Sequence, residues 1–386
     1  MSPREPSPQG LNANVDVAIN NKTADNDTPK PTTVDEISSP DRPFDNVLNL
    51  RDVGVHINRL CGTRVVREGV LFRSARPDNA SKSDRHRFAE ELRLASIIDL
   101  RSTTEHNIAA NRQLATQLSN GNAESPPASQ PQSIANDEHL VQLPGVRRIM
   151  ISLAGWNFEK LLLWRLSWFN ILKAITLLAS GYRNAATKLV VEQAMVPRGL
   201  NGLAHDTLTA SQEEIKELFG HLGDPAVYPT LIHCTQGKDR TGLVIILLLL
   251  LAGSPGSDEG VPSETREEQE EEEPGGNINA GGVLRDGDTD VVRGAPIGPL
   301  ATCKIPLSAI TCDYRVSEDE LIPELEERLA EMQAMGLPAE YAKCPTGFTE
   351  EVVRFLEEGY GGVRGYLKAI GVEDGDVETV RGLLVA

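Results

Sequence analysis

The sequence predicts an α/β fold: a mainly parallel central sheet flanked by helices. Three observations predict it. Between Phe44 and about Arg101, short apolar runs alternate with turns, at Asn49–Val55, Val65–Val66, Gly69–Ser74 and Ala95–Arg101. A helical stretch from about Lys82 to Leu92 stands between the last two runs, and strands alternating with helices favour parallel pairing through crossovers. Further on, Leu231–Ile232 leads through a short polar loop into the ten-residue apolar block Val244–Gly253. That is the pattern of a strand, a loop and a buried helix.

The remaining segments arrange themselves around this frame. Residues 1–42 are rich in Ser, Pro, Asn and Asp and poor in aromatics, the composition of a disordered tail. One domain over 43–386 is expected, interrupted by a polar loop at 119–137 and by insertions. Residues 149–196 hold all three tryptophans, Trp156, Trp164 and Trp168, and read as a helical insertion. Glu159, Lys160, Arg165 and Lys173 interrupt its apolar text, whereas a membrane span needs about 20 apolar residues with few or no charges. A pair of core helices is expected there. The alternatives are a lid over the site or a peripheral membrane contact. Residues 254–299 carry an E/Q run and no apolar periodicity, and read as a disordered acidic insertion, a candidate partner surface or phosphorylation segment. Helices resume over Pro306–Ala334, and two more, joined by Gly359–Gly362, fill Thr349–Ile370.

Charge and cysteine usage exclude several function classes. The formal net charge is −18, which argues against a nucleic-acid-binding surface. Between Gly253 and Pro299 there are twelve acidic and three basic residues, so about half of that charge is local. A phosphate pocket elsewhere can still be positive. Five cysteines without a CxxC pair fit neither a zinc site nor a disulfide framework, and favour a reduced, intracellular, cytoplasmic setting. The opening MSPREPSPQG has no apolar signal core.

The chemistry concentrates in His233–Gly242, HCTQGKDRTG. Cys234 and Arg240 flank Thr235, Gln236, Gly237, Lys238 and Asp239, a Cys-x5-Arg spacing between a strand and a helix. Such a loop turns its N–H groups toward one point at the positive end of the helix, where a phosphate oxyanion fits. These donors and Arg240 favour the thiolate of Cys234, the nucleophile. Arg240 grips two oxygens bidentately, which lysine cannot copy. Gly237 and Gly242 admit close backbone approach. Thr241 can donate to the sulfur as it leaves, and His233 supports the loop. No metal or other cofactor is called for.

This loop resembles that of the cysteine-dependent tyrosine phosphatase superfamily, and its GKDR version resembles the tyrosine/serine protein phosphatase family, which has a lidded branch. The blocks Asn49–Asp52, Leu71–Ala75 and Ile98–Ser102 with Glu105 resemble the family's upstream motifs. Asp313–Tyr314, Ser317 and Gly359–Leu367 resemble its downstream ones. The resemblance implies the tyrosine-phosphatase fold and hydrolysis of phosphomonoesters through a phosphocysteine. The substrate it implies is a phosphotyrosine-type protein or, alternatively, a phosphoinositide or inositol phosphate.

No Trp-Pro-Asp general-acid loop occurs in the sequence. Two aspartates are candidate proton donors: Asp99, which the resemblance favours, and Asp239 within the loop. Asp99 has a salt bridge or turn cap as its alternative role, and Asp239 a loop brace toward Arg101 or an N–H. Lys238 makes the loop unusually cationic, which suits multiply charged substrates; its alternative is a salt bridge. Arg51, Arg73 and Arg101 are expected at the pocket rim or in pairs with Asp52, Asp99 or Glu105. A catalytically idle phospho-binding scaffold and a different Cys-loop enzyme are competing classes, disfavoured by the intact Cys234 and Arg240 and by the surrounding motifs.

Overall fold

A computed structural model of the chain describes residues 44–119, 140–255 and 304–386, all within one compact unit. The expected tail (1–42), most of the polar loop (119–137) and nearly all of the acidic insertion (254–299) lie outside the described residues.

The sheet has the order β1 (Arg51–Asp52), β2 (Leu71–Ser74), β5 (Thr230–His233), β3 (Ser96–Asp99), β4 (Arg147–Met150). β1 runs antiparallel to β2, and every other pair is parallel. The α/β architecture with a mainly parallel sheet is therefore present. Successive residues of each inner strand enter opposite cores, as the two-residue repeat of a strand requires. Leu71, Ile98 and Ile232 join one core, while Phe72, Ile97 and Leu231 join the other with Phe44 and Phe88. Burial on both faces is why these strands read as unbroken apolar runs rather than as alternating ones.

Helices close both cores. α1 (Val53–Cys61) is N-capped by Asp52, whose side chain accepts from Val55 N–H. Here the expectation fails: Val53-Gly54-Val55 continues a helix, not a strand. The cap and the apolar spacing Val53–Ile57 select the helix, and Gly54 lets it lie against the Arg67 carbonyl, 2.4 Å from where a Cβ would stand. Val65–Val66 forms no strand either; Val66 makes a single bridge to Val385. α2 (Lys82–His86) begins with a Ser81–Asp84 capping box and runs on into a π-helical turn, Arg87–Glu91. α3 (Thr103–Ser119) follows β3.

β4 ends at Met150, so the helical stretch starts at α4 (Trp156–Trp164) rather than at residue 149, and α5 (Trp168–Ala179) and α6 (Arg183–Val190) follow. These are not core helices. Only their inner faces, with Phe158, Leu162 and Ala174, are buried. All three tryptophans are exposed. Among the described residues no helix is long and apolar enough to cross a membrane.

α7 (Gly199–Ala210) and α8 (Gln212–Leu222) lead to β5, and α9 (Asp239–Gly253) leaves it. α9 is buried along its whole length from Thr241, as expected of a helix apolar on every side. Each leucine buried there contributes about 1.5–3 kcal/mol, which fixes the helix, and the loop before it, against the sheet. α10 (Leu307–Glu320), α11 (Leu325–Met335), α12 (Phe348–Tyr360), α13 (Val363–Ala369) and α14 (Asp374–Leu384) complete the fold. The first four match the expected helices of 306–334 and 349–370.

Candidate active site

The loop from Cys234 to Lys238 connects the end of β5 to the N-terminus of α9. Its carbonyls are held from outside. Arg76 N–H donates to Thr235 O at 3.1 Å, Asn49 Nδ2 to Gln236 O at 3.0 Å and Gly237 O at 3.1 Å, and Arg73 Nη2 to Gly237 O at 2.8 Å. In a trans peptide the N–H opposes the C=O. Pinning three carbonyls outward therefore turns the N–H groups of Gln236, Gly237 and Lys238 inward, as an oxyanion requires. Gly237 has φ +64°, and a Cβ there would stand 2.0 Å from Ser74 O, so only glycine fits. Asn49 itself sits at φ 57°, a region asparagine tolerates better than most residues.

Behind the loop lies a buried charge network. Asp313 takes Arg51 Nε at 2.7 Å and Arg73 Nη1 at 2.5 Å, and Ser317 Oγ takes Arg51 Nη2 at 3.1 Å. Burial pushes the Asp313 carboxyl up, but Arg51 and Arg73 outweigh it and hold the group well below the ordinary aspartate range. Burial and neighbouring Arg51 pull Arg73 down to about 10, which still leaves it cationic at neutral pH. Arg51, Arg73 and Arg101 thus do not line a rim; all three are buried. For the first two, which lie in β1 and β2, the partner is Asp313 of α10, 240 or more positions along the chain.

Arg240 is clamped by Glu105. Nη1 and Nη2 each donate to one carboxylate oxygen at 2.6 Å, and Nη1 also reaches Leu100 O at 3.3 Å. This leaves Nε–H and one Nη2–H along the other edge of the guanidinium, a second fork for two phosphate oxygens. Glu105 is itself held by Ser102. Ser102 N–H and Oγ donate to Oε2 at 3.0 Å, and Ser102 Oγ accepts from Glu105 N–H at 3.3 Å. Ser-Thr-Thr-Glu is a capping box for α3, so one glutamate caps a helix and orients the arginine. Thr235 Oγ1 also donates to it. Burial works against the Glu105 charge, but Arg240 overcomes it and holds the carboxyl well below its usual range. Glu105, expected as a partner for Arg51, Arg73 or Arg101, pairs with Arg240 instead, and the Ser102–Glu105 spacing is the signal of its capping role.

The structure redistributes several expected roles. Asp99 is fully buried, bound by Arg101 Nε and Nη2 at 2.8–3.2 Å, with His233 Nε2 at 3.5 Å. Burial raises its pKa, but His233, Arg101 and His106 outweigh it and keep the group ionised. A buried carboxylate committed to an arginine cannot hand a proton to a substrate, so Asp99 takes its alternative role, the salt bridge. Arg101 also grips Asp78 at 2.5 and 2.9 Å. His233 Nδ1–H donates to Cys234 O at 3.1 Å. Burial pushes the His233 imidazole below its ordinary range while Asp99 pulls it up.

Lys238 is the second correction. It is fully buried, and its ammonium donates to Tyr341 O at 2.8 Å and Lys343 O at 2.6 Å, with Asp239 Oδ1 at 3.4 Å. It ties the loop to the 339–343 segment and does not face a substrate. Thr241 is the third: its hydroxyl is buried without a partner among the described residues, so the expected donation to sulfur is not made.

Asp239, by contrast, keeps 37% of its side chain exposed. Tyr314 Oη donates to its Oδ1 at 3.4 Å, and that tyrosine stacks on Phe348 and packs on Gly242. Cys234 is buried at the base of the loop.

A depression of about 470 Å3 between α8 and the start of α14 is lined by Glu213, Glu217, Glu373 and Asp376 with Lys216. Its negative lining disfavours a phosphate monoester, so it does not compete with the loop. Among the described residues no group of three or more His, Cys, Asp or Glu is placed to ligate a metal ion.

Compared with known families, residues 42–258 and 299–386 match the model of the tyrosine phosphatase family. No curated protein matches the chain.

Proposed function

The chain belongs to the tyrosine phosphatase family and is a phosphatase; on that premise we propose that it hydrolyses phosphotyrosine-type monoesters through a phosphocysteine at Cys234. The observation that carries this reading is the pairing of an outward-pinned loop with a pre-oriented guanidinium around one buried cysteine. The phosphoryl group sits with its oxygens on the loop N–H groups and on the free edge of Arg240. The Cys234 thiolate attacks phosphorus in line, forming the S–P bond as the ester P–O bond breaks. Asp239 gives its proton to the departing oxygen. Asp239 is favoured for this step because it lies in the loop and its side chain is 37% exposed, with Tyr314 Oη donating to its carboxyl. Water then attacks phosphorus, its proton passes to the Asp239 carboxylate, and the S–P bond breaks to regenerate the thiolate and release phosphate.

The phosphoinositide and inositol-phosphate alternative rested on Lys238 as a substrate cation. With that ammonium buried against two carbonyls, nothing at the loop favours a multiply charged substrate over phosphotyrosine. The idle scaffold is disfavoured because Cys234 and Arg240 are both intact and Glu105 holds the Arg240 guanidinium in one orientation.

The test is hydrolysis of an aryl phosphate in the presence of a chelator, with mass spectrometry of acid-quenched enzyme. The expected result is turnover, with a phosphate adduct on the Cys234 peptide that is lost in Cys234→Ser. Turnover that survives Cys234→Ser refutes the mechanism.

A further inference from the structure

α4 and α5 carry an apolar face that nothing among the described residues covers. Trp164 is 77% exposed, Trp168 79% and Phe169 71%. Leu172, Ile175 and Leu178, three positions apart, carry the stripe along α5. Lys173 is the only charge on that helix. The inner faces of the same helices are packed, through Phe158, Leu162 and Ala174, so the hairpin is held in place and presents its outer face deliberately. A contiguous apolar face of this kind marks a docking surface.

Charge selects the occupant. The hairpin Trp156–Ala179 holds one acidic residue, Glu159, against Lys160, Arg165 and Lys173 in a chain of net charge −18. Arg165 is tied to the buried Asp206, so Lys160 and Lys173 are the cations the hairpin turns to solvent. The partner must therefore be anionic and able to take up tryptophan and aliphatic side chains. A second copy brings the same basic segment to a two-fold contact and repels it. The acidic segment 254–299 matches the charge but contains no aromatic residue, so it answers only half of the surface. An anionic lipid surface answers both halves. Tryptophan settles at the headgroup level, aliphatic side chains enter the acyl boundary, and lysine and arginine pair with anionic headgroups.

We propose that the α4–α5 hairpin docks this protein on an anionic lipid surface, lying in the interface plane. The inference is independent of the catalytic reading. It gives the alternative role of a peripheral membrane contact a specific face and a specific charge partner.

The full-length protein provides its own probe, because all three tryptophans lie in this hairpin. Phosphatidylcholine vesicles with and without phosphatidylserine are added, and tryptophan emission and co-sedimentation are measured. The expected result is a blue shift and co-sedimentation with the serine-lipid vesicles, both weakened by salt. The double variant Trp168→Glu/Phe169→Glu should lose about tenfold or more of its partitioning, and Lys173→Glu about fivefold or more. Hydrolysis of a soluble aryl phosphate should be unchanged in both, which shows that they fold. The proposal is overturned by absence of binding to both vesicles, by equal binding to neutral vesicles, or by undiminished binding of the double variant. It is also overturned if light scattering finds a dimer that Trp168→Glu dissociates while no vesicle is bound.

Discussion

Gly237→Ala isolates the loop geometry from every charged group in the site. At φ +64° an alanine is disfavoured by about 1–2 kcal/mol before any contact is considered. Its Cβ would lie 2.0 Å from Ser74 O and 2.3 Å from Ser74 C, where ordinary contact begins at 3.4 Å. The shortfall, 3.4 less 2.0 Å, requires the two backbones to part by about 1.4 Å. Ser74 cannot retreat easily. It ends a paired strand, Ala75 N–H is bonded to Leu48 O at 2.9 Å and Arg76 N–H to Thr235 O at 3.1 Å. The loop must move instead, taking its inward N–H groups with it. A misplacement of about 1 Å costs on the order of 100-fold in rate, so kcat/KM on p-nitrophenyl phosphate should fall about 100-fold or more. That corresponds to about 2.7 kcal/mol of lost transition-state stabilisation. The inhibition constant for inorganic phosphate should rise in parallel, while circular dichroism at 25 °C still reports a folded chain. A folded Gly237→Ala variant with kcat/KM within about threefold of the parent would refute the claim that pinned carbonyls create the oxyanion site.

Three further outcomes follow from the same geometry. Lys238→Met leaves the Tyr341 and Lys343 carbonyls without their donor and should lower unfolding free energy in urea by about 2–3 kcal/mol. Its preference between singly and multiply phosphorylated substrates should stay unchanged, and a collapse of that preference would restore Lys238 to the substrate. Asp239→Asn should slow esters with poor leaving groups by about 100-fold or more and nitrophenyl esters much less. Asp99→Asn should instead lower the melting temperature without altering leaving-group dependence, and the reverse pattern would return the proton to Asp99. Asp99, Asp313 and Glu105 are all held below their ordinary values of 3.8, 3.8 and 4.5 by neighbouring cations that outweigh burial. Carboxyls depressed in the fold stabilise it fully above those values, and the contribution drains away as pH falls below them, because the unfolded chain protonates first. Asp52, raised by burial to about 6 from 3.8, has the opposite sign and adds stability as pH falls through that interval. Urea midpoints should therefore hold or rise from about pH 6 to pH 4.5 and collapse toward pH 3; a midpoint unchanged at about pH 3 would refute the buried pairs.

The strand, loop and helix that carry the candidate site were legible in one dimension. Strand, cysteine loop and buried helix are contiguous in sequence, and their signals are local: an apolar run, a glycine-bearing polar loop, and a ten-residue apolar block. Elements whose identity depends on a cap were less legible. Val53-Gly54-Val55 reads as strand from its branched residues, and the Asp52 cap decides for helix. The tryptophan hairpin departs from the expected core helices for another reason. Composition gives the apolar content of a helix, but which face is covered depends on what packs beside it.

The pairing of Cys234 with Arg240 follows from the sequence alone, because it is a spacing within one loop, whereas the need for glycine at 237 is set by Ser74, whose carbonyl would stand 2.0 Å from a Cβ there. The use made of each charge was decided by tertiary structure. Asp313, from a helix far along the chain, captures Arg51 and Arg73. Glu105 captures Arg240, and two distant carbonyls capture Lys238. A charged side chain leaves water only where a partner meets it, and that partner is set by the packing of the whole fold. That is why Asp99 became a buried brace while Asp239, one residue before Arg240, stays partly exposed beside Lys238 and Tyr314.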